Sequence, residues 1–155
     1  MPSSRSYPDH PYVGVSALIC HNDHLILIER GNAPLDGCWS LPGGAVETGE
    51  HLEAAIQREI QEEVGLSFTP EHLAELVEIL RHDDHDKCQR HFVIAVFHSD
   101  ISEKSNALPA LTAGDDAQQA RWVRLEDLDR YVLTDGTFDV IHRILSGTSL
   151  PLSRA

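Results

Sequence analysis

The sequence predicts an α/β fold, and three patterns predict it. Residues 12–20, 25–29 and 90–98 are runs rich in β-branched and aromatic residues bounded by polar turns. Leu52, Ile56, Ile60 and Val64 recur at four-residue spacing in a stretch free of Pro and internal Gly, as a helix with one buried stripe requires. A second helical pattern occupies residues 134–145. At 155 residues the chain is long enough for one self-sufficient core, expected over residues 12–147 between tails at 1–11 and 148–155.

In order, the proline-punctuated residues 1–11 read as a polar tail lying along the domain. Residues 12–20 and 25–29 are joined by His21-Asn22-Asp23-His24 as a hairpin or a pair of adjacent core strands, and their unbroken apolar character implies cover on both faces. A loop with Gly31, Pro34 and Gly37 leads to a short strand at 39–41, then to Pro42-Gly43-Gly44 and the helix over 50–64, ended by Gly65. Leu73, Leu76, Val77 and Leu80 have helical spacing while Val77, Ile79 and Arg81 alternate as in a strand. The segment is expected as a short helical turn at 70–75 and then a strand to His82; the strand at 90–98 makes a hairpin with it. Its tip gathers His82, Asp83, Asp84, His85, Asp86, Cys88 and His91, spacings that match no zinc motif and read as a solvated polar turn. Residues 99–119 form a long polar loop, of a length that is often functional. A strand around Trp122 and a short helical connection at 126–131 follow. The last helix is expected to be capped by Thr134 or Asp135, to pack through Phe138, Ile141 and Ile144 or Leu145, and to stop near Gly147; residues 150–155 read as a frayed end.

The formal net charge of −13 argues against binding nucleic acid polymers or anionic membranes, which need a basic surface. An anionic substrate must then be attracted locally. Cys20, Cys38 and Cys88 are an odd number without Cys-x-x-Cys spacing, so neither a disulfide framework nor a structural zinc is indicated, and a reducing cytoplasm fits. No signal-peptide pattern and no apolar run long enough to span a membrane is present.

The chemistry concentrates on the first helix. At 100° per residue, Glu62 and Glu63 fall at about −60° and +40° from Glu59, so three carboxylates share roughly 100° of arc. Such a cluster is either a solvated acidic face or half of a site for a hard cation, Mg²⁺ or Mn²⁺, which takes oxygen ligands together with substrate phosphate.

Gly44, five residues, Glu50, seven residues, then Arg58-Glu59-Ile60-Gln61-Glu62-Glu63-Val64-Gly65-Leu66 resembles, position for position, the signature of the Nudix hydrolases. Seven fixed and two apolar positions coincide by chance on the order of once in 10⁹ placements at average composition. The resemblance implies a Nudix fold, an α/β/α sandwich with a mixed β-sheet between the box helix and the last helix, and metal-dependent hydrolysis of a nucleoside diphosphate linked to another group. By the same resemblance Glu59 and Glu63 are metal ligands, Glu62 a ligand or partial base, and Gly43 a main-chain carbonyl donor. Arg58 orients Glu59 by a bidentate contact, and Glu50 anchors the loop without touching metal; charge at a helix N-terminus explains Glu50 equally well. The loop before the Trp122 strand is expected to add an acid, Asp116 first, with Asp115 and Glu103 as substitutes.

The wider stretch Arg30-Gly31-Asn32-Ala33-Pro34, then Gly37, Trp39 and Leu41-Pro42-Gly43-Gly44, with Asp115-Asp116-Ala117 ahead of Trp122, is similar to the small ADP-ribose pyrophosphatases. That similarity implies Arg30, Trp39 and Gly44 as substrate contacts and ADP-ribose cleaved to AMP and ribose 5-phosphate. The alternatives are a (deoxy)nucleoside triphosphate pyrophosphohydrolase and a Nudix-fold nucleotide sensor without turnover. A homodimer is common in related enzymes and would let residues 70–90 help shape the pocket.

Overall fold

Alternation along the first two strands sends side chains into two separate cores. In β1 (Tyr12–His21) Val15, Ala17 and Ile19 face one side and Leu18 and Cys20 the other, and in β2 (His24–Arg30) Ile26 and Ile28 oppose Leu25 and Leu27. All nine are essentially buried, as strands covered on both faces require. The computed structural model describes residues 5–32, 35–114, 117–148 and 153–154.

Among them the sheet continues through β3 (Trp39–Ser40), β4 (Gly43–Ala45), β5 (His72–His82), β6 (Cys88–Asp100), β7 (Ala117–Arg124) and β8 (Ser153–Arg154), with helices α1 (Leu52–Val64) and α2 (Thr137–Ser146). The path runs β3-β2-β1-β6-β5-β8, with β4 on β1 and β7 on β2. Pairs β1/β6 and β5/β8 are parallel and the others antiparallel, so the sheet is mixed. Helix α1 seals one face with Ala55, Ile56, Ile60 and Val64, and α2 the other with Val140, Ile141 and Ile144. The α/β/α sandwich read from the sequence is the one observed.

One irregularity prepares the site. Strands β1 and β2 pair only at Cys20↔Leu25 and His21↔His24; beyond that they part, and β4 takes the vacated edge through Ser16↔Gly43, Val15↔Gly44 and Gly14↔Ala45. The Gly43-Gly44 peptide is thus wedged into the sheet directly under α1.

Several sequence expectations are corrected. The helical turn expected at 70–75 is strand from His72 onward, because His72 and Leu73 pair with His98 and Phe97 of β6. A register shift between Leu73 and Glu75 accompanies the burial of Glu75 at 2% exposure. The 99–119 loop is shorter than expected, since β6 and β7 both grow into it. Helix α2 begins at Thr137 behind Gly136 (φ 81°), without the expected Thr134 or Asp135 side-chain cap. The reason is that Leu133 bridges Trp39 and the Thr134 N–H donates to the Trp39 carbonyl (2.9 Å), keeping the chain extended. Phe138 consequently points to solvent at 51% exposure, and Val140 takes its place in the core. Ser153–Arg154, expected to fray, pairs with Val77 and Glu78.

Of the expected tail, residues 1–4 lie outside the described residues, and Tyr7 lies against the hairpin, its N–H donating to the Gln89 carbonyl (2.9 Å). The Tyr7 hydroxyl donates to Asp83 Oδ2 (3.0 Å), and the Asp83 carboxylate also accepts from the His85 and Lys87 amides, closing a polar turn. All three cysteines are free, and burial pushes the Cys20 thiol up to about 12, an inert core group. No helix among the described residues is long and apolar enough to cross a membrane.

Glu75 ties β5 to α2 through a two-point contact, Arg143 Nε to Oε1 and Nη2 to Oε2, both 3.0 Å. Removing the arginine takes the two-point cationic partner from a buried carboxylate. Arg143→Met is expected to lower stability by about 3 kcal/mol in urea denaturation, the low end for a broken buried pair because the arginine is partly exposed. The double variant Glu75→Gln/Arg143→Met is expected to regain part of that loss.

Candidate active site

Why α1 carries its acids toward Gly43-Gly44 follows from its buried stripe. Ile56, Ile60 and Val64 fix the helix rotation by packing on the sheet, which leaves Glu59 and Glu63, one turn apart, on the flank nearest β4. The Gly43 N–H donates to Glu63 Oε2 at 3.0 Å. The Glu59 carboxylate lies so close over Gly44 that a Cβ there would sit 2.4 Å from its carbon, and one on Gly43 would sit 2.0 Å from the Val15 carbonyl oxygen. Gly43, set against main-chain atoms, is therefore demanded by close approach, whereas a Cβ on Gly44 would displace the Glu59 carboxylate.

Arg58 holds this arrangement together. Its Nε and Nη2 donate to Glu50 Oε1 (2.8 Å) and Oε2 (3.0 Å), Nη2 also donates to the Ala45 carbonyl (3.0 Å), and Nη1 donates to Glu59 Oε1 (2.8 Å). Nη1 also lies 3.5 Å from Glu62 Oε2. The expectation that Arg58 grips Glu59 bidentately is corrected: the two-point contact is with Glu50, and Glu59 receives one bond. Adjacent residues do not face each other on a helix, so the fork cannot align on the next side chain, whereas Glu50 in the preceding loop meets it end-on. Glu50 Oε2 also accepts from the Glu47 N–H (3.0 Å), closing the turn that enters α1.

Electrostatically, three carboxylates (Glu50, Glu59 and Glu62) surround one guanidinium, with Glu63 one turn further along the helix from Glu59. The Arg58 fork, helped by the Glu47 N–H, holds the Glu50 carboxyl down at about 2, and the arginine's own pKa rises in return. Glu59 (12% side-chain exposure) and Glu63 (8%) are nearly buried beside the two glycines, whereas Glu62 (59%) faces outward. Among the described residues no three Asp, Glu, His or Cys side chains converge as a ready-made ion cage. What the site offers is oxygen donors only, two half-enclosed carboxylates on either side of one glycine peptide. That donor set suits a hard divalent cation, which keeps waters and completes its shell from substrate phosphate.

The remaining expected residues are spread around this centre. Arg30 ends β2 just past a register shift after Glu29, and its guanidinium has no hydrogen bond or ion pair with any described residue. Trp39 does not join the acids: it pairs with Glu29 on the opposite face, 8% exposed, edge-on to Tyr131 (5.1 Å) and beneath Arg121 (5.2 Å). Asp115 and Asp116 lie outside the described residues, and Glu103 is exposed in the loop after β6. The sequence reading missed the Ala45 carbonyl as an Arg58 anchor and missed Thr112 and Gly114. The amides of these last two donate to the Val64 (2.9 Å) and Glu63 (3.1 Å) carbonyls at the end of α1.

The NUDIX domain family model matches residues 10–144, which contain the whole of this site. The chain belongs to the NUDIX family. It is 38% identical over 121 residues to an ADP-ribose pyrophosphatase of Methanocaldococcus jannaschii, covering 78% of this chain and 66% of that protein. It is 31% identical over 114 residues to the nucleoside triphosphatase NudI of Escherichia fergusonii, covering 70% of this chain and 76% of that one. Among solved structures it resembles the bifunctional NMN adenylyltransferase/ADP ribose pyrophosphatase of Francisella tularensis complexed with AMP and a Mn ion, with a TM-score of 0.67 and 26% identity. That match covers 90% of this chain and 42% of the Francisella one, so this NUDIX domain spans less than half of that protein.

The depressed Glu50 carboxyl makes a pH prediction. A group whose pKa is lowered by folding adds stability that is present above its ordinary value of 4.5 and is lost as pH falls toward about 2. In thermal melts across that window, the Glu50→Gln variant is expected to show a shallower fall than the wild-type chain, and a lower melting temperature at pH 7.

Proposed function

We propose that the protein is a divalent-cation-dependent pyrophosphohydrolase that cleaves ADP-ribose to AMP and ribose 5-phosphate. The observation carrying this reading is the placement of Glu59 and Glu63 on one glycine peptide, with Arg58 locking the helix to the loop that holds it. The ADP-ribose pyrophosphatase relative, aligned over 78% of this chain, supports the substrate.

The reaction adds water across the anhydride: a new bond joins the water oxygen to one phosphorus, the bridging P–O bond breaks, and the protons of water are shared out between the two phosphate products. A Mg²⁺ or Mn²⁺ ion, when bound, neutralises charge on the diphosphate and lowers the pKa of a water. Glu59, Glu63 and the Gly43 main chain would hold it. Glu62, the exposed acid of the three, is the one free to approach a water, and Asp116 is the further acid proposed for that role. The Arg30 guanidinium, at the end of β2, can pair with substrate phosphate. The substrate is a small nucleotide, and the three free thiols fit a reducing cytoplasm.

A second reading, hydrolysis of a nucleoside triphosphate with release of pyrophosphate, is supported by the NudI relative and uses the same acids. Incubation with ADP-ribose and a nucleotide panel, in Mg²⁺, Mn²⁺ or chelator, separates the two. AMP and ribose 5-phosphate formed only with metal is the expected outcome. Pyrophosphate from a triphosphate, with ADP-ribose untouched, would move the protein to the second reading; binding without any turnover would make it a sensor. Glu63→Gln is expected to lower turnover by roughly 100-fold at fixed metal concentration. Full activity with an unchanged metal requirement would remove Glu63 from the site.

A further inference from the structure

Helix α1 ends where its function is concentrated, and its last carbonyls need partners that the helix cannot supply. Gly65, at φ 73°, satisfies only the Gln61 carbonyl (3.2 Å). The next partners come from far along the chain, in the segment after β6: the Thr112 N–H donates to the Val64 carbonyl (2.9 Å) and the Gly114 N–H to the Glu63 carbonyl (3.1 Å). Gly114 is pressed against the helix more tightly than any side chain allows. A Cβ at this position would stand 1.6 Å from the Glu62 carbonyl oxygen, 2.7 Å from the Glu62 carbonyl carbon and 3.4 Å from the Glu63 Cα. Those are main-chain atoms of a helix packed on the core, which cannot swing aside as a side-chain tip can. Nor is Gly114 there for a left-handed backbone, since its φ is not among the positive ones. The requirement is purely one of contact distance.

The residues touched are the two acids at the end of the site. Glu63 reaches from this turn to the Gly43 N–H on the other side, so the turn is held at one end by β4 through a side chain and at the other by Gly114 through the main chain. We propose that Gly114 is a positioning residue: its missing Cβ lets the 111–114 segment lock the last turn of α1, setting the Glu63 carboxylate at the distance from Gly43-Gly44 that binds the cation. This role rests on the metal-site reading above. A methyl group at 114 forces the segment off the helix, leaves the Glu63 carbonyl without its donor, and frees the turn to shift.

The test compares Gly114→Ala with Gly147→Ala. The second variant places a Cβ at φ 72° with nothing within 4 Å, so it strains the backbone far from the acids and reports stability loss alone. Mn²⁺ binding is measured by electron paramagnetic resonance, without substrate, beside thermal melts. The expected result is at least about tenfold weaker Mn²⁺ binding for Gly114→Ala, a typical loss when an orienting contact to a metal site is removed, and unchanged binding for Gly147→Ala. Equal Mn²⁺ affinity in Gly114→Ala and wild type would overturn the role. Wild-type protein that binds no Mn²⁺ would instead overturn the metal-site reading on which the role rests. Should Gly114→Ala not fold, hydrogen exchange on the wild-type chain decides: Mn²⁺ is expected to slow exchange of the Thr112 and Gly114 amides, and unaltered exchange there with Mn²⁺ bound would refute the proposal.

Discussion

The interaction on which the site depends is the grip of one guanidinium on three elements at once. Arg58 joins the loop before α1 (Glu50), the strand edge (Ala45) and the helix itself (Glu59). Without it, carboxylates crowded at the edge of a core would repel one another and the loop would have no fixed relation to the helix. With it, the excess negative charge becomes a fixed local field in a protein whose net charge is already −13. A diphosphate approaching such a surface is repelled unless a cation mediates, which is the physical reason for placing metal at this point.

The fold makes room for this arrangement by failing to be regular. Two strands that pair for two residues and then part leave an edge of β1 open, and β4 fills it with residues too small to push α1 away. Gly43 is needed against β1, Gly44 against Glu59, and Gly114 against the far end of the same helix. Gly44 and Gly114, in separate segments, thus set how closely α1 approaches its surroundings, and the acids lie between them. The two apolar clusters on either side of the sheet supply the rigidity that makes such contacts meaningful.

How much of this was legible in the chain depends on the range of the contact. Apolar runs marked β1, β2 and β6, and the four-residue stripe marked α1, because periodicity is a local property. The segment at 70–82 was misjudged at its start because Leu73, Leu76, Val77 and Leu80 fit helical spacing; pairing with β6 overrode that preference. The first turn of α2 was lost to a bridge with Trp39, nearly a hundred residues away in sequence, and no local pattern signals such a bond. In the site, the identities of Glu50, Arg58, Glu59 and Glu63 were readable from their spacing, but the partner of the Arg58 fork was not. Trp39 was named as a substrate contact through the family likeness alone, and a sequence likeness does not mark the face of the sheet that a residue occupies. Thr112 and Gly114 could be identified only from the packed chain.

The central claim is that a divalent cation binds between α1 and the Gly43-Gly44 peptide, and anomalous diffraction from crystals soaked in Mn²⁺ tests it most directly. The account predicts the strongest peak in contact with the Glu59 and Glu63 carboxylates and the Gly43 carbonyl. A peak elsewhere, such as the His- and Asp-rich turn between β5 and β6, with none beside α1, would contradict it.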